Sequence, residues 1–136
     1  MTWLLDVNAL IALLRREHEF HARMRVWFLE ESRRNGFRIA TCAITELGAV
    51  RILPQLPDAL CTPAEVAALL VRWKRSLGPR HVFLSDALGA EALPKWVKTP
   101  RQTTDGHLAA LAKVHGAALA TLDGKIPGVS VIAARA

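Results

Sequence analysis

Two short apolar runs in this chain each end in an aspartate, and this feature most constrains the fold. Residues 3–5 lead into Asp6, and residues 117–122 lead into Asp123. Runs of this length and composition predict buried strands, so each aspartate is expected at the carboxyl end of a strand. An unpaired carboxylate costs several kcal/mol to bury. Either these two aspartates are less buried than the neighbouring apolar residues suggest, or a positively charged group binds them.

Helical patterns lie between the predicted strands. Strands are predicted at 3–6, 37–41, 81–84, 117–122 and about 129–132. Helices are predicted after a turn at Val7-Asn8 as far as Leu14, at 19–35, 45–53, 62–77 and 85–92, and from a cap at Thr103 or Thr104 to a C-cap at Gly116. Thr62, Pro63 and Glu65 form the strongest helix start, at the N-cap, N1 and N3 positions. This alternation predicts an α/β domain of three layers, with helices on both faces of a mostly parallel sheet.

Two further acids lie beside predicted strands. Glu46 is near the start of the helix that follows the second strand, and Asp105 is near the start of the helix that precedes the fourth. Ligands of open α/β sheets bind beyond the carboxyl ends of the strands. One edge of the sheet could therefore collect all four carboxylates. The alternative for Asp105 is an ordinary acid at a helix N-terminus, where it needs no ligand.

Length and composition predict one domain, residues 1–136, because a chain of 136 residues holds a single core. Hydrophobic residues make up 51% of the chain. No apolar run approaches the ~20 residues that span a bilayer, so no membrane interaction is expected. The N-terminus lacks the features of a secretory signal, and we expect a cytoplasmic protein. Cys42 and Cys61 have neither the spacing of a zinc site nor a disulfide framework and are predicted to be core thiols.

The charge balance favours a nucleic-acid partner. The chain has 18 Lys and Arg against 12 Asp and Glu, a net charge of +6, which is the usual electrostatic footprint of nucleic-acid binding. If four acids converge on metal ions, the rest of the surface is more positive still. Residues 94–102, which we call the basic loop, carry three basic residues between and beside two prolines. This stretch is predicted to be exposed and to gate the site or bind a partner.

In order and spacing, the acidic motifs resemble those of the PIN-domain ribonucleases, and specifically the VapC toxins of bacterial VapBC toxin–antitoxin pairs. The matching segments are LLDVNAL at 4–10, TEL at 45–47, TDGHLA at 104–109 and ATLD at 120–123. None is decisive alone, but the ordered set is far more specific. The resemblance implies a central parallel sheet flanked by helices, an acidic pocket that binds Mg²⁺ or Mn²⁺, and hydrolysis of RNA phosphodiester bonds.

The resemblance also assigns residues and partners. Asp6, Glu46, Asp105 and Asp123 match the family's acidic quartet, and Asn8 and Thr121 match its small polar supports. It implies a homodimer that inhibits translation and that a small VapB-type antitoxin neutralises by inserting its C-terminal tail, often with an Arg near the carboxylates. The candidate RNA contacts are Arg15, Arg16, Arg51, Lys95, Trp96, Lys98 and Arg101. Trp96 would stack on an unpaired base, and the alternative for Trp96 is a core or dimer contact. For the other candidates the alternative is an ordinary solvated surface.

The chemistry of RNA cleavage suits these residue types. Two divalent ions can activate water and stabilise charge on the attacking and leaving oxygens of a phosphodiester, and Mg²⁺ prefers oxygen ligands. We expect Asp6, Asp105 and Glu46 to bind the first ion, with Asp123 acting through water or on a second ion.

Two rival functions remain open from the sequence. One rival is a phosphatase of the haloacid dehalogenase type, but its general acid would have to be a second Asp where this chain has Asn8. The other rival is a catalytically silent RNA-binding module, in which the acids are structural and the basic loop binds RNA.

Overall fold

A parallel β-sheet forms the centre of the protein, whose computed structural model describes residues 1–124, 126–127 and 130–132. The strands within these residues are β1 (Thr2–Leu5), β2 (Arg38–Cys42), β3 (His81–Leu84), β4 (Ala118–Thr121) and β5 (Ser130–Val131). Their order in the sheet is β3-β2-β1-β4-β5, and each neighbouring pair is parallel. Position 129, with which the last predicted strand begins, lies outside the described residues.

Helices cover both faces of this sheet. They are α1 (Val7–Leu14), α2 (His21–Ser32), α3 (Ala43–Ile52), α4 (Pro63–Leu77) and α5 (Thr103–Val114). Short 3-10 turns occupy Leu53–Gln55, Gly78–Arg80, Ala90–Ala92 and Pro100–Gln102. The predicted α/β class, with a parallel sheet between two helical layers, is confirmed. None of the helices in the described part of the chain has the length and apolar character needed to cross a bilayer.

Successive strand residues point to opposite faces, and this alternation divides the core in two. Leu5 packs in a buried cluster with residues of α1 to α4, whereas Leu4 packs in a second cluster with Leu108 and Leu111 of α5. Both leucines are fully buried. Burial on both faces explains why the strand sequences read as continuous apolar runs, as is usual in parallel sheets.

The central position of β1 determines where the site forms. Leu4 pairs with Ala40 of β2 on one side and with Leu119 of β4 on the other. All three strands run in the same direction, so their carboxyl ends meet at one edge of the sheet. The residues that follow β1, β2 and β4 are therefore brought to a common region.

Two local predictions were wrong because a side chain makes a bond that the pattern does not reveal. The predicted turn at Val7-Asn8 is absent, because Asp6 caps α1 directly by accepting from the Ala9 N–H at 2.8 Å. The predicted helix at 85–92 is reduced to the 3-10 turn Ala90–Ala92. There the Asp86 side chain accepts from the Leu88 N–H at 3.0 Å, a local turn that competes with helix formation.

The other helix ends and the cysteines were predicted with mixed success. The capping box of Thr62 and Glu65 forms as predicted at the start of α4. Thr103 and Thr104 instead lie inside the first turn of α5, because the 3-10 turn before it leads straight into the helix from Gln102. The C-cap of α5 is His115 rather than Gly116. Cys42 is buried and Cys61 is half-buried, and both are free thiols.

Candidate active site

Asp6 is the most buried of the four predicted acids. It lies between β1 and α1, and its residue is only 5% exposed. One carboxylate oxygen accepts from the Ala9 N–H and the other accepts from the Thr121 hydroxyl. Burial raises the pKa of Asp6 above its ordinary value, and the charge of Asp123 adds to the rise, while the hydrogen bonds from Thr121 and Ala9 oppose it.

Thr121 joins two of the predicted acids. It ends β4 and is fully buried, and its hydroxyl donates to Asp6. The same oxygen accepts from the Asp123 N–H at 2.9 Å. One hydroxyl can do both, since it offers one donor and two acceptor positions. Thr121 thereby fixes the position of the Asp123 backbone relative to the Asp6 carboxylate.

Asp105 faces the other two aspartates from the first turn of α5. It is half-buried, and three causes raise its pKa to about 6: burial first, then the charge of Asp6, then the charge of Asp123. Like charges disfavour ionisation of a neighbouring carboxyl group. Because the charges of Asp6 and Asp123 both act on Asp105, we treat these three residues together and call them the aspartate cluster.

An open cavity adjoins this cluster. Its volume is about 460 Å³, and we call it the main cavity. It is lined by Asn8, Trp96, Arg101, Gln102, Asp105, Asp123 and Ile126. The cavity thus combines two carboxylates with an aromatic ring and a guanidinium group. The ring and the guanidinium group suit an anionic ligand that has flat apolar parts, provided that a cation offsets the two carboxylates.

Glu46 is held differently from the three aspartates. The Lys74 ammonium donates to both of its carboxylate oxygens, at 2.8 and 3.0 Å. The Thr41 hydroxyl donates to Glu46 at 2.6 Å, and His81 Nε2 lies 2.8 Å from the same hydroxyl oxygen. Glu46 is not among the residues that line the main cavity, so its assignment as a metal ligand stays a prediction.

The donor set of the aspartate cluster fits a hard divalent cation. Its ligand atoms are carboxylate oxygens, which Mg²⁺ and Mn²⁺ prefer, and a cation would relieve the repulsion that raises the pKa of Asp105. Within the described residues, however, no three side chains of His, Cys, Asp or Glu are grouped closely enough to hold an ion by themselves. An ion at this place would therefore need water to supply several of its ligands, as Mg²⁺ sites commonly do.

The predicted RNA contacts lie in different places. Trp96 and Arg101 line the main cavity, and Lys95 and Lys98 are exposed on the same basic loop. Arg15 donates to the Pro57 carbonyl at 2.6 Å and lines a separate cavity together with Arg16. Arg51 is exposed on α3. Of the seven candidates, Trp96 and Arg101 are thus the two placed beside the acids.

Several residues near the acids were missed by sequence reasoning. Lys74 approaches Glu46 from α4, and nothing in the spacing of that helix signals the pairing. Gln102 lines the main cavity, although it was read only as part of the basic loop. A second cavity of about 390 Å³ shares Asn8 and Asp123 with the main cavity and is also lined by His18, Glu19, Phe20 and Leu122. No motif in the sequence predicts this second cavity.

Known proteins resemble this chain along almost its full length. A family model for the PIN domain matches residues 3–131. Ribonuclease VapC44 of Mycobacterium tuberculosis is 36% identical over 133 residues, covering 93% of this chain and 89% of the relative. Ribonuclease VapC38 of the same species is 40% identical over 125 residues, covering 88% and 84%.

Two solved structures share the fold. The structure of FitAB bound to an IR36 DNA fragment aligns with a TM-score of 0.58 at 21% identity, covering 95% of this chain and 92% of that chain. The crystal structure of FitAcB from Neisseria gonorrhoeae aligns with a TM-score of 0.56 at 22% identity, covering 96% of each chain. At such identities the likeness concerns the fold alone. From the family model and the curated relatives together, we conclude that this chain belongs to the PIN-domain family, in its VapC group.

Proposed function

We propose that this protein is a metal-dependent endoribonuclease toxin that hydrolyses RNA phosphodiester bonds, inhibits translation and is neutralised by a cognate antitoxin. The observation that carries the proposal is the aspartate cluster, in which burial and, after it, the charges of Asp6 and Asp123 raise the pKa of Asp105 to about 6. Strongly perturbed carboxyl groups in a cleft are typical of functional sites. The curated relatives are named as ribonucleases, which supports RNA as the substrate.

Asp6 and Asp105 would hold the ion directly, and Asp123 would act through water or on a second ion. Bound there, Mg²⁺ or Mn²⁺ would activate water and stabilise the charge that develops on the phosphodiester oxygens. Glu46 would join only by exchanging its contact with Lys74 for the ion.

Other residues of the site would orient the reacting groups. Thr121 keeps Asp6 and the Asp123 backbone in a fixed relation, and Asn8 lines the main cavity, where its amide would bind a ligand or the substrate. Arg101 and Trp96, on the same cavity, would contact a phosphate and an unpaired base. The net charge of +6 would add an attraction to RNA that falls with salt.

The same cleft is the proposed site of inhibition. A VapB-type antitoxin would insert a C-terminal tail whose Arg meets the aspartate cluster and competes electrostatically with the metal. We also propose a cytoplasmic homodimer. Light scattering of the isolated protein and of the protein coexpressed with its antitoxin would test both assemblies.

The direct test is cleavage of total cellular RNA by the purified protein in Mg²⁺, Mn²⁺ or EDTA. Asp6→Asn and Asp105→Asn are compared with Glu91→Gln, a matched control at an exposed acid that lines neither the main cavity nor the cavity of Arg15 and Arg16. Mass spectrometry should first establish that no partner protein copurifies. We expect discrete fragments that require metal, are lost in Asp6→Asn and Asp105→Asn, and are retained in the control.

A different result would overturn the enzyme. If the wild type bound RNA but cleaved none of it in Mn²⁺ at any protein concentration, the silent RNA-binding module would be the better description. Cleavage that continued unchanged in EDTA or in both aspartate variants would exclude the aspartate cluster as its source.

A further inference from the structure

A second cavity also adjoins the aspartate cluster. It has a volume of about 390 Å³ and shares Asn8 and Asp123 with the main cavity. The two cavities therefore meet at the acids, and each is otherwise lined by different residues. A strand cut at the aspartate cluster has nucleotides on both sides of the cut, and the two cavities offer one place for a nucleotide on each side.

Each cavity contains an aromatic ring with a cation near it. In the main cavity these are Trp96 and Arg101. In the second cavity Phe20 is 36% exposed, and the Arg23 guanidinium lies 5.5 Å from the centre of its ring. The His18 ring is 5.8 Å from the Phe20 ring, centre to centre. The second cavity thus has the parts of a stacking platform for a nucleobase.

The position of Phe20 is unfavourable for local stability. It occupies the N-cap of α2, where its side chain makes no capping hydrogen bond. Ser, Thr, Asp or Asn at such a position stabilises a helix by about 1 kcal/mol. The Phe20 ring contacts His18 and Arg23 and is still 36% exposed, so part of the ring is accessible to a ligand.

The backbone holds this platform in place. The Phe20 N–H donates to His18 Nδ1 at 3.0 Å, so His18 carries its ring hydrogen on Nε2. His21 Nδ1 lies 2.8 Å from the Ala12 carbonyl and ties the segment to α1. Glu19 also lines the second cavity, and its charge favours an uncharged base over a phosphate there.

We propose that Phe20, together with His18, forms a second base-stacking subsite, which receives an unpaired RNA nucleotide on the side of the aspartate cluster away from Trp96. The inference rests on the proposed function and deepens it, since it assigns single-stranded RNA as the substrate and Phe20 as a determinant of its binding. Stacking depends little on the identity of the base, so the subsite does not select a sequence. It requires only that the base in that position is unstacked.

The first test measures binding and does not depend on cleavage. A labelled, unstructured RNA of about 12 nucleotides is titrated in EDTA with protein that also carries Asp105→Asn, so that the RNA stays intact. We expect Phe20→Ala to weaken binding at least about fivefold, which corresponds to the lower end of the stacking contribution of one base. Phe20→Trp should retain the affinity and Phe20→Leu should not, because only the former offers an aromatic face.

Leu29→Ala is the matched control, since Leu29 is an exposed apolar residue of the same helix, 45% exposed and outside both cavities. It should bind RNA as the parent does. If Phe20→Ala bound equally well, or if Phe20→Leu restored the affinity as fully as Phe20→Trp, the stacking subsite would be excluded. Because no step of this assay needs catalysis, a wild type that fails to cleave RNA would overturn the proposed function while leaving this comparison decisive.

The second test locates the subsite relative to the cut. Substrates with an abasic nucleotide on one side or the other of the mapped cleavage site are compared for kcat/KM. In Phe20→Ala, kcat/KM should no longer change when the nucleotide on one side of the cut lacks its base. In Trp96→Ala, kcat/KM should no longer change when the nucleotide on the other side lacks its base. Loss of sensitivity on the same side in both variants would refute an arrangement of two subsites around the acids.

Discussion

Replacing Asp105 by Asn should stabilise the metal-free protein at neutral pH. The change keeps the shape of the side chain and removes a charge that the folded state disfavours. The pKa of Asp105 rises from 3.8 to about 6, and each unit corresponds to about 1.4 kcal/mol, which sets an upper limit of about 3 kcal/mol. Solvent screening of a half-buried group and its favourable place in the first turn of α5 reduce the expected gain to about 1 kcal/mol.

The pH dependence follows from the direction of this shift. A carboxyl group whose pKa is raised by folding destabilises the protein above its folded pKa of about 6 and has no effect below its unfolded value of 3.8, where both states are protonated. The advantage of Asp105→Asn over the wild type should therefore be complete near pH 7.5, decline as the pH falls from about 6 to 3.8, and vanish near pH 3. Urea denaturation in EDTA at the two pH values measures the difference.

Metal provides the complementary measurement. Mn²⁺ should raise the free energy of unfolding of the wild type, because it binds only the folded state, and this increase should be largely lost in Asp105→Asn. Glu91→Gln, at an exposed position, should behave as the wild type throughout. If Asp105→Asn instead lowered stability at pH 7.5 in EDTA, Asp105 would be a structural acid of the helix N-terminus and the electrostatic reasoning would fail.

Three further substitutions test separate contacts. Lys74→Met should lower metal-free stability by about 1–3 kcal/mol, because Glu46 loses its partner. If Glu46 is a metal ligand, thermal melts should show that Mn²⁺ stabilises this variant more than the wild type. Equal stabilisation of the two proteins by Mn²⁺ would argue against that role. Thr121→Val should lower the free energy of unfolding by about 1–3 kcal/mol, since the buried Asp6 oxygen loses its hydrogen-bond donor. Calorimetric titration should also show weaker Mn²⁺ binding. Mn²⁺ affinity equal to that of the wild type would contradict the positioning role of Thr121. Gly106→Ala should lower the midpoint of thermal unfolding, because a Cβ there would overlap a valine side chain of the basic loop. A midpoint at or above that of the wild type would mean that the basic loop moves to accommodate the added methyl group without loss of stability.

The fold was largely predictable because its signals are local. Apolar runs marked the strands, and the Thr62 and Glu65 pattern marked a helix start that the structure contains. The helix predicted at 85–92 failed because Asp86 bonds Leu88 and lies 2.5 Å from His107 on α5. A contact across 21 positions of the chain leaves no periodic trace in the sequence.

The site was predictable to the extent that strand ends determine it. Asp6 and Asp123 were expected at the ends of two strands, and the parallel pairing of β1 with β4 brings those ends together. The approach of Lys74 to Glu46 was not predictable, because it depends on how α4 packs against α3. The second cavity was missed for a similar reason, since it depends on the packing of the α1–α2 connection beside Asp123.

The bond between Thr121 and Asp6 joins positions 115 residues apart, which has a consequence for synthesis of the chain on the ribosome. A nascent chain of the first 100 residues contains Asp6 and Glu46 but lacks Asp105, Thr121 and Asp123. Its central strand β1 also lacks β4, its partner on one side. Domains fold as units once their sequence is available. We therefore expect a nascent chain that ends before Asp123 to be inactive, because the aspartate cluster is assembled only after β4 and Asp123 have been made.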